Sequence, residues 1–343
     1  MKIRLPLVAL CSLLLAGGNV TAAPFSSLYT FGDSLSDVGN SPSAAMSLYN
    51  ILADNCAPAS PCPPYFDGRV SNGPVATERL SESLFSEGIA SASFRSYAVA
   101  GATTGIGNFG DGGTATKEGD LLPIPVPGIF PLPGMRQEID QYMSDSGGNA
   151  DPNALYFVWG GGNDYLTNDS PVLAARNIGG YVGELAAAGA QHLLVPNLAN
   201  LALTPFARAE GIEAQAQAFS HSFNEELSIR LGEVSSQFPA ASIFQFDTYS
   251  FVNGLIANPP FYGLTDVQNQ CLSDAPCADP GSYLHWDDFH PTASGHSLLA
   301  SAFASTVPEP GTYAMFIGGL LILGMIGTRR RKLEQARASA IPG

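Results

Sequence analysis

The chain has 343 residues and a formal net charge of −15, yet only 13% of its residues are charged and 45% are hydrophobic. This composition excludes intrinsic disorder, which requires low hydrophobicity together with high charge density. Basic residues are scarce between the two ends, which excludes a nucleic-acid-binding protein, and the 37 glycines and 26 prolines exclude a coiled coil. A globular protein with a large core remains, and the length allows one or two domains.

The N-terminal segment has the pattern of a secretory signal peptide. Lys2 and Arg4 precede an apolar run over residues 5–16, and small residues follow up to Ala23. A basic start, an apolar centre and a small-residue cleavage site are the three parts of such a signal. We therefore predict that residues 1–23 are a removable leader and that the protein is exported.

A second targeting pattern follows Val307. It consists of Pro308-Glu309-Pro310, an uncharged run over residues 312–328 and a basic cluster over residues 329–332. The uncharged run, if helical, would rise about 25 Å, at the short end of what spans a bilayer. The basic cluster is expected to stay on the cytoplasmic side.

This tripartite pattern resembles the PEP-CTERM sorting signal of Gram-negative bacteria. The resemblance implies that an exosortase-type sorting enzyme is a partner at the Pro-Glu-Pro element. It also implies that the protein is transiently anchored in the inner membrane and, after processing, reaches the periplasm, the outer surface or the extracellular matrix. We accordingly assign residues 307–332 to the signal with its short transmembrane helix, and residues 333–343 to a cytoplasmic tail.

Short apolar runs alternate with helical patterns between the two ends. The strands are predicted at residues 27–31, 94–99, 154–159, 192–196 and 242–246. The helices are predicted at residues 74–85, 135–143, 171–188, 206–234 and 293–304. This alternation predicts an α/β fold in three layers, with a central parallel sheet of about five strands. The Gly- and Pro-rich stretch 105–134 is predicted to be a long surface loop.

Four cysteines lie outside the predicted leader, and an exported protein meets an oxidising compartment in which disulfides form. Of the three possible pairings we favour Cys56 with Cys62 and Cys271 with Cys277, because each pair lies within one loop. A zinc site is the alternative, but the close Cys spacing and the neighbouring His of such sites are missing. No metal is therefore predicted.

The first strand is followed by the turn Gly32-Asp33-Ser34-Leu35. Ligands collect at the carboxyl ends of the strands of a parallel sheet. A Ser on a sharp turn at that edge presents its hydroxyl among backbone N–H groups that point toward a bound molecule. Taken alone, these four residues favour the interpretation of Ser34 as a helix N-cap. We expect Asp33 to brace the turn by local hydrogen bonds.

Near the other end of the chain, Asp287 precedes His290 by three residues. A neutral imidazole accepts the proton of a serine hydroxyl, and a carboxylate on its other nitrogen fixes the tautomer and stabilises the cation. Taken alone, this spacing also fits a turn in which Asp288 or Thr292 caps the last helix.

Two further positions follow predicted strands. Asn163, in Gly161-x-Asn163-Asp164, offers a side-chain amide to a developing oxyanion, and Gly101 offers a backbone N–H. Together with the serine, the histidine and the aspartate, they supply every part of an acyl-transfer site.

The blocks around these residues resemble those of the GDSL hydrolases, also called the SGNH family, and they occur in the family's order over most of residues 28–303. The resemblance implies a flavodoxin-like SGNH-hydrolase fold in one domain, residues 24–306, and an esterase or lipase activity without a cofactor. A departure occurs at Ala100, where many members have Gly.

The resemblance also implies the role of each residue. Ser34 is the nucleophile, His290 the base and Asp287 its partner. The oxyanion hole consists of the N–H groups of Ser34 and Gly101 and the amide of Asn163. Carboxylic esters of lipids, small alcohols or acetylated polysaccharides are the expected substrates.

Alternative functions stay open at this point. An acyltransferase or a deacetylase that acts on exopolysaccharide would use the same triad, and a non-catalytic matrix-binding protein would keep only the fold. A dinucleotide-binding pattern at residues 105–110 lacks a helix after it, and no cofactor is predicted from it. Of the other histidines, which are His192, His221, His285 and His296, we expect only His285 to lie near the site.

Overall fold

Five parallel strands form the central sheet in the computed structural model. They are β1 (Leu28–Gly32), β2 (Phe94–Ser96), β3 (Leu155–Trp159), β4 (His192–Pro196) and β5 (Ser242–Phe246), paired in the order β2-β1-β3-β4-β5. β3 is buried at every residue, as a continuous apolar run in a sheet covered on both faces should be. The prediction of a parallel sheet of about five strands is confirmed.

The structure describes residues 25–39, 65–85, 92–120, 131–273 and 277–307, together with Thr328. Several predicted features lie outside these ranges. They are the leader, the Cys56–Cys62 pair, and, except for Thr328, the sorting signal with its transmembrane helix and tail. Within the described ranges, no helix has both the length and the apolar character to cross a membrane. Residues 25–307 pack together as one unit.

Eight α-helices occur in the described part of the chain. They are α1 (Ala76–Leu84), α2 (Met135–Asp145), α3 (Gly162–Leu166), α4 (Pro171–Ala187), α5 (Pro205–Glu210), α6 (Glu213–Gln237), α7 (Thr248–Ala257) and α8 (Ala293–Thr306). A small second sheet pairs β6 (Asp266–Gln270) with β7 (Tyr283–His285) in parallel.

The sheet separates two apolar cores. Tyr156 and Val158 of β3 belong to the core that contains residues of α2, α4 and α6. Leu155 and Phe157 belong to the core on the other side, which contains residues of α1 and α8. Successive side chains of a strand point to opposite faces, so this division gives the predicted three layers.

The structure corrects two of the expected elements and adds others that were not predicted. The single helix predicted over 206–234 is divided at Gly211, whose φ of +67° is left-handed and ends α5. The second strand ends at Ser96 rather than at residue 99. The helices α3 and α7 and the second sheet were not predicted; α3 has only five residues, and the strands of the second sheet lie in mixed polar sequence.

The predicted surface loop at 105–134 is partly wrong. Gly105, Gly107 and Asn108 are buried, whereas residues 116–118 are exposed. A Cβ on Gly105 would lie 1.7 Å from the carbonyl oxygen of Ala115, so glycine is required by close backbone packing there. The dinucleotide-like pattern therefore reflects packing of the loop on itself.

Candidate active site

The turn after β1 holds Ser34 at the carboxyl end of the sheet. A Cβ on Gly32 would lie 2.2 Å from the carbonyl oxygen of Trp159, so the chain approaches β3 too closely for any other residue. The carbonyl of Asp33 accepts hydrogen bonds from the N–H groups of Ser36 and Asp37, both at 2.9 Å. The Asp33 carboxylate accepts the Leu35 N–H at 3.1 Å and so braces the turn locally.

A buried carboxyl group lies beneath this turn. Glu138 of α2 accepts the N–H of Gly32 at 2.8 Å and the N–H of Val99 at 3.2 Å, which ties the end of β1 to the segment after β2. Burial raises the pKa of Glu138 well above its usual value and raises the pKa of Asp33 to about 6. Glu138 was not predicted as part of the site, because a glutamate in the first turn of a helix usually faces solvent.

Ser34, His290 and Asp287 form a chain of hydrogen bonds. Ser34 Oγ lies 2.7 Å from His290 Nε2, and His290 Nδ1 lies 2.9 Å from both carboxylate oxygens of Asp287. The loop between β7 and α8 sets this geometry, because Asp287 Oδ1 also accepts the backbone N–H groups of Phe289 at 2.9 Å and of His290 at 2.6 Å.

The electrostatics of the pair suit a base and its partner. Burial alone would raise the pKa of Asp287, but the His290 charge and the hydrogen bonds to the carboxylate lower it to about 2. Burial alone would lower the pKa of His290, but the Asp287 carboxylate raises it above the ordinary 6.5. The carboxylate is therefore ionised at neutral pH, and it makes the imidazole a stronger base.

Tyr65, which was not predicted from the sequence, donates its hydroxyl to Asp287 Oδ2 at 2.9 Å.

Asn163 lies in the first turn of α3. This helix begins directly after Gly161, which has a left-handed conformation. One N–H of its amide donates to the carbonyl of Ala102 at 3.0 Å. An amide nitrogen carries two hydrogens, so this bond orients the group and leaves the second hydrogen for a ligand. Asn163 lines the same pocket as Ser34 and His290.

Gly101 lies in the loop after β2, and it does not line the pocket around Ser34. Its φ is +82°, and a Cβ there would lie 2.3 Å from Asn108 Oδ1. The Asn108 amide in turn donates to the carbonyl of Ala100 at 3.0 Å, which holds the loop in place. The structure thus joins Ser34, His290 and Asp287 directly, places Asn163 in their pocket and leaves Gly101 in the adjoining loop.

Gly101→Ala is expected to lower the free energy of unfolding by about 3 kcal/mol, because the left-handed strain is added to the clash with Asn108. The matched control is Gly211→Ala. That glycine has a similar φ of +67° but no atom within 4 Å of an added Cβ. Its substitution should cost only about 1 kcal/mol. Urea unfolding measures both variants, and equal losses would contradict the role given to the clash.

The pocket next to Ser34 opens to the solvent. Its walls are mostly apolar and are contributed by Leu198, Leu201 and Leu203 after β4, by Val252 and Leu255 of α7, and by Leu284 and Phe289. Such a cavity suits a hydrocarbon chain.

The remaining histidines have separate surroundings. His285 lines the pocket, as expected. The buried His296 accepts the N–H of Ala76 at 3.2 Å through Nδ1, which links α8 to α1. His221 contacts the hydroxyl of Tyr249 at 3.2 Å, and His192 packs against aromatic rings. In the part of the chain that the structure describes, no three His, Cys, Asp or Glu side chains are grouped to hold a metal ion.

Cys271 and Cys277 are joined by a disulfide.

Residues 28–303 match the family of GDSL-like lipases and acylhydrolases. The chain belongs to this family. Residues 306–332 match the PEP-CTERM protein-sorting motif, which indicates export from a Gram-negative bacterium. The GDSL match includes Ser34, Asp287 and His290, the three residues joined by hydrogen bonds.

Individual relatives are similar over most of this GDSL-family chain. Esterase EstA of Pseudomonas aeruginosa is 30% identical over 345 residues, which are 89% of this chain and 50% of that protein. A phosphatidylcholine-sterol acyltransferase of Aeromonas hydrophila is 26% identical over 81% of this chain and 72% of that protein. A solved structure of a lipolytic G-D-S-L protein from Veillonella parvula is 12% identical, with a TM-score of 0.42 over 80% of this chain and 94% of that one. The chain spans about half the length of the first curated relatives that it matches.

Proposed function

We propose that the protein is an exported carboxylic ester hydrolase that works through an acyl-enzyme on Ser34. The observation that carries this proposal is the chain of hydrogen bonds from Ser34 through His290 to Asp287 at an apolar pocket. Membership of the GDSL family and the similarity to Esterase EstA support it. In this proposal residues 24–306 are the catalytic domain, residues 1–23 the leader, and residues 307–332 the sorting signal before a tail at 333–343.

In the first half of the reaction, Ser34 Oγ attacks the carbonyl carbon of the ester and its proton passes to His290 Nε2. The tetrahedral intermediate carries an oxyanion. When it collapses, the bond to the alcohol oxygen breaks and the leaving alcohol takes the proton from His290. The products are an acyl-Ser34 ester and the free alcohol.

In the second half, water attacks the acyl-Ser34 carbonyl and gives a proton to His290. The bond to Ser34 Oγ breaks, the serine recovers its proton, and the carboxylic acid leaves. Asp287 stays ionised throughout, because its pKa of about 2 is below any working pH. In both halves the proposed oxyanion donors are the N–H of Ser34 and the free hydrogen of Asn163, which both line the pocket, and the N–H of Gly101 in the adjoining loop is the proposed third donor.

The test is a panel of aryl esters, phospholipids and acetylated polysaccharides offered to the purified full chain, together with an active-site titration by a fluorophosphonate. We expect hydrolysis of at least one ester and a single phosphonyl adduct, which mass spectrometry locates on Ser34. A chain that is inert toward every ester and unlabelled by the phosphonate would contradict the proposal and favour a non-catalytic matrix-binding role.

Asn163→Ala is expected to lower kcat by about 10²–10³-fold with little change in KM, because the lost hydrogen bond forms mainly with the transition state. Steady-state kinetics on the best ester of the panel measures the effect. Asn269→Ala, at an exposed asparagine, is the control and should leave kcat unchanged. A loss confined to KM would show that the amide only binds the ground state.

The activity is expected to rise with pH. His290 must be neutral to accept the serine proton, and the Asp287 carboxylate raises its pKa above 6.5. Therefore kcat/KM should fall as the pH drops through a midpoint above 6.5, as protonation removes the base. A pH profile of kcat/KM measures this midpoint. A midpoint below 6.5 would contradict the role of the carboxylate.

The similarity to a phosphatidylcholine-sterol acyltransferase favours acyl transfer as a second candidate function. An alcohol can replace water in the attack on the acyl-enzyme without any change in the triad. We therefore add a lipid alcohol or a polysaccharide acceptor to the assay and measure the ratio of transesterified product to free acid. A ratio that rises with acceptor concentration while acid release falls would identify a transferase.

The PEP-CTERM match supports a location at the cell surface or in the extracellular matrix after processing by an exosortase-type enzyme, following a transient inner-membrane stage. Acetylated exopolysaccharide would be accessible there, as would lipid esters. Residues 24–306 contain 28 acidic and 8 basic residues, which disfavours binding to anionic surfaces. Fractionation of cells with and without the Pro308-Glu309-Pro310 element tests the location.

A further inference from the structure

The Asp287 carboxylate is held at both of its oxygens, and one of its partners has no role in the mechanism described so far. Oδ1 accepts the backbone N–H groups of Phe289 and His290, which belong to the same loop. Oδ2 accepts the hydroxyl of Tyr65 at 2.9 Å. His290 Nδ1 lies 2.9 Å from each of the two oxygens. Among the described residues, Tyr65 and His290 are the donors to Oδ2.

These contacts define the plane of the carboxylate. The Cβ–Cγ torsion of an aspartate is broad and has no sharp preference of its own, so the partners of the two oxygens set it. The backbone donors hold Oδ1, and the Tyr65 hydroxyl holds Oδ2. The imidazole then meets a carboxylate whose two oxygens are fixed at separate points, at the same distance from both.

The segment that carries Tyr65 is itself attached to the loop of the histidine. The Phe66 N–H donates to the carbonyl of Ser71 at 2.9 Å and closes a turn. Ser71 Oγ donates to the carbonyl of Pro291 at 2.9 Å. The Tyr65 ring lies edge-on to the buried Trp286, with 6.4 Å between the ring centres. The fold therefore presents the hydroxyl to the carboxylate from a fixed position.

The same hydrogen bond affects the charge that reaches the imidazole. A donor stabilises the charged form of a carboxylate, and Asp287 is only 8% exposed, so little solvent competes with the hydroxyl. Burial lowers the pKa of His290, but the Asp287 carboxylate raises it above 6.5. Because the Tyr65 hydroxyl balances part of the same negative charge, it moderates this rise and keeps the imidazole neutral at a lower pH.

We propose that Tyr65 is a positioning residue of the reaction, whose hydroxyl fixes the Asp287 carboxylate and, through it, the direction of the His290 ring. Tyr65 does not line the pocket next to Ser34, so it acts through Asp287 rather than on the substrate. The proposal deepens the function proposed above and rests on ester hydrolysis at Ser34.

The experiment is Tyr65→Phe in the full chain, which keeps the ring beside Trp286 and removes only the hydroxyl. On the best ester of the panel, kcat should fall about tenfold, the effect of one hydrogen bond, and KM should be nearly unchanged. The acidic limb of the kcat/KM profile should move to higher pH, because the carboxylate then acts on His290 with its full charge. Asp33 and Asp288, which also raise the pKa of His290, are present in both proteins.

Tyr249→Phe is the matched control, because its hydroxyl also contacts a histidine, His221 at 3.2 Å, and lies outside the pocket. It should leave kcat and the pH profile as in the wild type. A double-mutant cycle combines Tyr65→Phe with Asp287→Asn. In that background the loss of the Tyr65 hydroxyl should neither lower kcat further nor move the acidic limb, because its effect passes through the carboxylate.

The outcomes separate this inference from the proposed function. If Tyr65→Phe leaves kcat unchanged, or if its acidic limb does not move to higher pH, the inference is overturned and the proposed function stands. A loss of kcat that persists in full beside Asp287→Asn also overturns it, since that loss would be structural.

A second measurement needs no substrate. NMR titration of the isotope-labelled imidazole of His290 gives its pKa in the resting protein. A higher pKa in Tyr65→Phe than in the wild type supports the coupling, and an equal or lower one overturns it. A wild type that hydrolyses no ester would overturn the proposed function and the positioning role, whatever the titration shows.

Discussion

Ser34→Ala is expected to lower kcat by about 10⁶-fold and to leave KM nearly unchanged, because the substrate still binds but no acyl-enzyme forms. Residual turnover would come from the oxyanion donors and the pocket alone. Steady-state hydrolysis of the best ester of the panel measures the loss. The same variant should take up no fluorophosphonate.

The control for this variant lies in the same turn. Ser36 is fully buried, and its hydroxyl has no partner among the described residues, so Ser36→Ala should keep kcat within a few-fold of the wild type. His290→Ala should resemble Ser34→Ala, and the double variant should be no worse than either, because the two groups act as a unit. Additive losses, or equal losses in the Ser34 and Ser36 variants, would remove Ser34 from the role of nucleophile.

Asp287→Asn is expected to lower kcat by about 10⁴-fold, because an amide can present its N–H to His290 Nδ1 and favour the wrong tautomer. The imidazolium that forms during the reaction also loses its partner. The carboxylate raises the pKa of His290, so its loss should move the acidic limb of the pH profile to lower pH. Kinetics across the pH range measures both effects in one variant.

Asp288→Asn provides the neighbouring control. Asp288 is exposed, and partial desolvation raises the pKa of its carboxyl group, but among the described residues its side chain makes no hydrogen bond to the His290 ring. We expect a far smaller loss of kcat and an acidic limb close to that of the wild type. Similar losses in both variants would mean that the local charge, rather than the contact with Nδ1, accounts for the effect of Asp287.

The parallel sheet and the hydrogen-bonded residues were accessible from the sequence for one physical reason. Buried parallel strands are continuous apolar runs, and the residues after them meet at one edge of the sheet. Ser34 and Asn163 each follow such a run, so their pocket is the one that the topology requires. The predicted Asp287–His290 contact needed only the three-residue spacing and a turn.

Other parts of the site depend on contacts between distant segments, and the local sequence carries no signal for these. Glu138 is an ordinary helix residue by sequence, and only the packing of α2 brings its carboxyl group to Gly32. Tyr65 reaches Asp287 across 222 positions of the chain.

The Ser34–His290 hydrogen bond joins positions 256 residues apart. Beside it, Ser71 Oγ donates to the carbonyl of Pro291 and the Ala293 N–H donates to Asn72 Oδ1, so the last part of the domain is bound to its first part. A growing chain on the ribosome, or one still threading through a membrane, therefore holds its serine without a base. Under the proposed function, ester hydrolysis therefore begins only when the last part of the domain has folded onto the first.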